Sequence, residues 1–216
     1  MSDRGIITGM HMAEGAGVAA DADLSATQAR LVRTGYQVFS EKGIAGTSLQ
    51  EVAERAEVSK GLILYHFESK ERFALATMEW ALTGTADRIR GSIDPAASPA
   101  KRISAMLGAI FHSADSNRRF YLAYLDLLGL AARVDRFGQV NDTFRTIVNA
   151  LYRDVISQGV AEGVFEVDDL DEAADAVRAI IDGSFLVWLQ EADWKGAHRR
   201  YRDRCERTIL GYLGCP

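Results

Sequence analysis

Apolar positions recur along the chain with a helical period almost from end to end. From Leu24 to Lys42 they fall at Leu31, Val32, Gly35, Val38 and Phe39, the spacing of one buried stripe, and Gly43 is a natural stop. Leu49, Val52, Ala53 and Ala56 then repeat at i, i+3, i+4 and i+7. Ahead of them, Ser48 and Glu51 have the spacing of a capping box, in which each side chain satisfies a free backbone N–H at the helix start. Glu57-Val58-Ser59 interrupts, and Ser59 is a good N-cap for a third short helix from Lys60 to Phe67. Ile63 and Phe67 share one face of that helix and are expected in the core. Lys60, Gly61, Leu64 and Tyr65 point elsewhere, and that outward face needs a reason.

Ser69 caps a longer helix to about Gly91, and Asp94-Pro95 and Ser98-Pro99 mark a break after it. Beyond Pro99 the pattern predicts helices over Pro99–Ala114, Asn117–Ala132, Arg136–Gln158 (stopped by Gly159 and Gly163), Leu170–Ala192 and Gly196–Leu213. The expected class is therefore all-α, with about nine helices. A domain boundary inside the helix from Ser69 gives a domain over 24–73 and a larger one over 74–216, coupled by a shared helix. Residues 1–23 are rich in Gly and Ala, lack periodicity and read as a disordered arm. His11-Met12 reads as a cloning junction, and Arg4, the arm's sole basic residue, is a weak basis for touching DNA.

Composition adds little and removes much. With 216 residues, 48% hydrophobic and 25% charged, the chain is long enough for a real core. A formal net charge of −5 does not announce a nucleic-acid partner. Cys205 and Cys215 have no CxxC spacing and no histidine cluster beside them, so they are expected as free thiols, with neither a metal nor a cofactor. No run approaches the roughly 18 apolar residues of a membrane span, and no signal-peptide plan is present, so a cytoplasmic protein is expected. No nucleophile–base pair or phosphate loop supports an enzyme; Asp126 and Asp182, carboxylates inside apolar runs, are the sole starting points for one.

The corner between Gln28 and Phe73 resembles the helix-turn-helix of the tetracycline-repressor (TetR) family. The resemblance is carried by Phe39-Ser40-Glu41-Lys42-Gly43, by Thr47-Ser48-Leu49 with Val52-Ala53, and by the run Val58-Ser59-Lys60-Gly61-Leu62-Ile63-Leu64-Tyr65-His66-Phe67-Glu68-Ser69-Lys70-Glu71. It implies a transcriptional regulator, most simply a repressor that binds double-stranded palindromic operator DNA as a homodimer and is released by a small-molecule inducer. By the same resemblance Thr47, Ser48, Tyr65, His66 and Lys70 contact phosphates and Lys60 reads a base. Gly61 permits close approach, and Leu62 and Leu64 meet thymine methyl groups. An activator, or a regulator without a ligand, fits the same residues; the operator's position relative to its promoter separates them.

Three positions depart from the family pattern. Leu64 stands where tyrosine is common, with Tyr65 its neighbour. Glu57 replaces a turn glycine, which in the left-handed region costs on the order of 1 kcal/mol. Gly35 replaces an alanine in the first helix, again roughly 1 kcal/mol. From Thr47 to Arg72 there are four basic residues (Arg55, Lys60, Lys70, Arg72) and five acidic ones, so binding must rely on a local face to which Arg30, Arg33 and Lys42 add.

In the C-terminal half the resemblance is one of organisation. The run Phe120 to Leu128 is apolar nearly all round and hence buried. The stripe Val177, Ile180, Ile181, Ser184, Phe185 and Trp188 suits a dimer interface, by analogy with a family four-helix bundle, or packing inside one subunit. An inducer pocket between the middle helices has as candidates Phe111, His112, Tyr121, Tyr124, Asp126, Asn141, Phe144 and Trp188, each of which also suits plain core. Asp126 needs a partner such as Arg119 or Arg178, or a ligand donor. Six basic residues between Lys195 and Arg207 read as a solvated helix face, and Asn141-Asp142-Thr143 as a glycosylation signal without meaning in a bacterial-type cytosol.

Overall fold

A computed structural model describes residues 24–215 of the chain; the expected arm over 1–23 lies outside them. The described residues form nine helices and no strand. They are α1 (Ala26–Lys42), α2 (Leu49–Arg55), α3 (Lys60–Phe67), α4 (Lys70–Ser92), α5 (Pro99–Ile110), α6 (Ala114–Ala131), α7 (Asp135–Ala161), α8 (Leu170–Trp188) and α9 (Trp194–Tyr212).

Helix α2 packs on α1 and α3, both of these lie against α4, and α1 also leans on α6. Helix α4 continues into the rest of the molecule, where it lies against α5, α6 and α7. Helix α7 packs on α8, and α8 on α9, which closes back on α5 and α6. One apolar core runs from Leu31 through Phe39, Phe73 and Met78 to Phe185, Trp188 and Ile209. Among the described residues no helix is long and apolar enough to cross a membrane.

Six of the nine helices start after a serine. Ser48, Ser59 and Ser69 each accept a backbone N–H three residues on, at 3.1–3.2 Å. The expected box at Ser48 is half formed, because the Glu51 carboxylate turns to Lys42. A complete box stands instead at Ser25 and Gln28. Helix α6 begins at Ala114, three residues before the expected start, with Ser113 as its cap, and the Asn117 amide donates to the Ile110 carbonyl at 2.7 Å.

The expected stop at Gly159 is a packing position within α7. A Cβ there would lie 2.0 Å from Phe165 Cδ2, so the glycine admits that ring, and the chain turns at Gly163, whose φ is +70°. Four of the six residues of the expected stripe on α8, Val177, Ile181, Phe185 and Trp188, are buried in the core of one subunit, while Ile180 and Ser184 are half-buried. The large exposed apolar residues of α8 are Leu186 (43%) and Val187 (51%), on another face. Burial pushes the Cys205 thiol up to about 11.

Candidate nucleic-acid interface and ligand chamber

Helix α3 is set in place by two residues. Ile63 and Phe67 are buried, and Phe67 meets Phe73 edge-on at 5.1 Å. The opposite side is bare: Lys60 and Gly61 are exposed, Leu64 is 37% exposed and Tyr65 is 80% exposed, its ring against His66. Leu62 and His66 lie half-buried at the edges of this face. An added Cβ at Gly61 would find only Ser59 Oγ, at 3.7 Å, so packing inside the protein does not require glycine there.

The loop before α2 is tightly tied. Gly43 N–H donates to the Phe39 carbonyl at 2.8 Å, and the Thr47 hydroxyl to that of Gly43 at 2.7 Å. Thr47 is buried, so its hydroxyl proton serves the loop, whereas Ser48 stays exposed beside it. Lys70 Nζ reaches the Ala45 carbonyl at 3.1 Å. Three nearby carboxylates are paired with nearby cations: Glu41 with Arg55, Glu51 with Lys42 and Glu68 with Arg72. Lys60 pairs with no carboxylate among the described residues, and so the charge of this face resides there despite the acidic balance of the segment.

In the other half of the molecule α4, α6, α7 and α8 enclose a cavity of about 30 Å³, room for a water or two. Tyr121, Tyr124 and Phe144, all expected there, line it. Asn141 stands behind them, accepting from the Tyr124 hydroxyl at 3.2 Å. The other four candidates lie elsewhere. His112 is exposed at the α5–α6 turn, and Phe111 is core, stacked on Phe185 at 4.2 Å. Trp188 is also core, its indole N–H donating to the Trp194 carbonyl at 2.6 Å. Asp126 pairs with neither Arg119 nor Arg178; its Oδ2 accepts the backbone N–H of Ile44 at 2.9 Å, across to the loop before α2.

Asp182 and Arg178 stood out in the sequence as a carboxylate in an apolar run and a possible partner. Neither was expected in the pocket, and Arg88 was not expected at all. Arg178 is buried and donates to the Tyr124 hydroxyl at 2.7 Å, with Asp182 3.5 Å from its Nε. The Tyr121 hydroxyl donates to Asp182 at 3.1 Å, and burial holds that carboxyl above the usual carboxylate range against the pull of Arg178. Arg88 enters from α4, its Nε donating to the Ala109 carbonyl at 3.2 Å. The i, i+4 spacing of Arg178 and Asp182 was the available signal. Outside this chamber, α4 and α7 flank an open groove of about 400 Å³ between Leu75, Leu82, Ala86, Val140 and Ile147, and Phe144 lines both spaces.

Residues 31–77 match the sequence pattern of the tetR family of bacterial regulatory proteins, and residues 99–213 match that of the BetI-type transcriptional repressor C-terminal domain. The chain belongs to the TetR family. It is accordingly a DNA-binding transcriptional regulator. Among relatives of this TetR-family protein, the transcriptional repressor KstR2 of Mycobacterium tuberculosis is 26% identical over 149 residues, 68% of this chain and 74% of that one. A crystal structure of a putative transcriptional regulator from Pseudomonas aeruginosa PAO1 is 26% identical and superposes with a TM-score of 0.73, covering 87% of this chain and 90% of that one. A second, from Saccharomonospora viridis in complex with choline, shares the fold at 18% identity and a TM-score of 0.77, covering 86% of this chain and 95% of that one.

Proposed function

We propose that this protein is a repressor that grips a palindromic operator as a homodimer and lets go when a small molecule occupies the chamber. The observation that carries the reading is the division of α3. Ile63 and Phe67 anchor it from within, while Lys60, Gly61, Leu64 and Tyr65 are exposed on its outward side. A helix so presented can enter a major groove. Lys60 then donates to guanine edges, Leu62 and Leu64 meet thymine methyl groups, and Gly61 lets the backbone come close. Tyr65, His66, Ser48 and Lys70 address the phosphates on either side. Thr47 acts from behind, shaping the loop from which Ser48 projects.

One α3 covers about half of a useful site, and a twofold partner supplies the rest. Leu186 and Val187, exposed side by side on α8, offer that partner an apolar foothold. Release follows from a population shift: the ligand prefers an arrangement in which α4 has moved and the paired α3 helices no longer match successive grooves.

The test begins by selecting duplexes from a random pool with the wild-type protein. Lys60→Ala and Tyr65→Ala should then each weaken binding to the selected duplex about 10- to 100-fold. Their melting midpoints should not move, since both side chains face outward. Undiminished, salt-sensitive binding by both variants would show that α3 is not the reading helix.

A further inference from the structure

We infer that the chamber is built for a small aromatic monocarboxylate. The inference rests on the ligand-released repressor reading and names the class of its ligand. Two guanidinium groups, Arg178 and Arg88, and one carboxylate, Asp182, line the space, leaving one positive charge in excess. Arg178 is about nine-tenths buried, and its Nη1 has no hydrogen-bond partner. Arg88 pairs with no carboxylate among the described residues; its bonds go to the Ala109 carbonyl and the Thr85 hydroxyl. A buried cation with an idle donor is costly, and a carboxylate is the acceptor whose geometry suits a guanidinium fork. One excess charge selects a monoanion, since a phosphate dianion would leave the chamber net negative.

The walls specify the rest of the molecule. Phe120, Tyr121, Tyr124 and Phe144 present ring faces and edges around the space, with Phe120 and Tyr124 stacked at 5.7 Å and 21°. They suit a flat ring in offset or edge-on contact. Aromatic walls also suit a quaternary ammonium ligand. Here, however, Arg178 already holds the cation position, 5.3 Å from the centre of the Phe144 ring, and with Arg88 it would repel a third positive charge.

At about 30 Å³ the chamber as it stands holds no ring. Phe144 is the partition between it and the 400 Å³ groove outside, so turning that one ring joins the two spaces and opens the way in. A bound carboxylate bridging Arg88 on α4 to Arg178 on α8 would then set the spacing of the helix that leads to the DNA-binding corner.

The experiment uses the full chain and four probes: benzoate and phenylacetate, the neutral isostere benzamide, and choline. At a hundredfold excess over Kd, the two carboxylates should raise the melting midpoint by about 5–10 °C. Benzamide and choline should leave it unchanged. Arg178→Gln should weaken carboxylate binding about 10- to 100-fold in calorimetry. Because that substitution also disturbs Asp182, Phe144→Ala provides a gain that misfolding cannot mimic: by enlarging the chamber it should admit 2-naphthoate, which the wild type excludes. Benzamide or choline binding as tightly as benzoate overturns the inference. So does carboxylate binding indifferent to Arg178→Gln, or carboxylates ignored by both wild type and Phe144→Ala. Selected duplex is bound in parallel. A protein that holds the duplex yet ignores carboxylates refutes the ligand class alone, and one that never holds duplex refutes the repressor reading.

Discussion

The ring of Phe73 occupies the notch that Gly35 leaves in α1. A Cβ at residue 35 would lie 2.5 Å from Phe73 Cζ and 2.8 Å from Cε1, and Phe73 has little room to retreat because Phe39 and Phe67 flank it edge-on. Helix propensity alone says that alanine would improve α1 by roughly 1 kcal/mol. Overpacking a filled core costs about 1–3 kcal/mol, so the clash is expected to win. Gly35→Ala should lower stability to urea by about 1 kcal/mol. In a Phe73→Leu background, where the ring is gone, the same substitution should become neutral or favourable. A stabilised Gly35→Ala in the wild-type background would show that Phe73 can shift after all. A glycine that looks like a helix liability in sequence is a matched half of a pair, and the other half lies 38 residues on, beyond the reach of periodicity.

The turn between α2 and α3 sets the angle at which the outward helix leaves the corner. Glu57 holds it with φ at +53°, a left-handed conformation that a side chain resists, while Val58 N–H donates back to the Ala53 carbonyl at 2.9 Å. Glu57→Gly should therefore raise stability by about 0.5–1 kcal/mol, with helix content unchanged; a loss would mean that the carboxylate or the stiffer unfolded chain matters more. This strain was legible because the glycine of the turn was missing from an otherwise matched run. The elements themselves were legible for a related reason: apolar stripes with a 3.6-residue period and serine caps are local facts. Ends were less so, as at Gly159, where a tertiary contact with Phe165 decides, and at Ser25, whose capping partner is a glutamine at the helix margin. The chamber was half legible. Its aromatic walls stood out as an apolar run, but Arg88 and Arg178 come from α4 and α8, ninety residues apart, and no sequence pattern pairs them.

Across the whole molecule, both walls of the chamber lead to one loop. Helix α4 carries Arg88 at the chamber and, about 27 Å away along its axis, Lys70, which holds the Ala45 carbonyl. Helix α6 carries Tyr124 at the chamber and, two residues later, Asp126, whose carboxylate accepts the Ile44 N–H. Residues 43–47 thus take instruction from two helices, and the loop they form precedes α2 and the face that includes Ser48. On the proposed reading Asp126 acts as a coupling residue, tying α6 to this loop through the Ile44 N–H. Removing the acceptor with Asp126→Ala strands a buried N–H, which should cost about 1–3 kcal/mol of stability, while Asp126→Asn keeps an acceptor oxygen and should stay near wild type. The decisive readout is the ratio of duplex Kd with and without phenylacetate, which for coupled sites amounts to about 5- to 150-fold. Asp126→Ala should shrink that ratio, and Asp126→Asn should not. Linkage adds an internal check, because duplex must weaken phenylacetate binding by the same factor in every variant. If Asp126→Ala keeps the full ratio, α4 alone transmits the signal, and the bond to Ile44 serves only to seat the corner on the body.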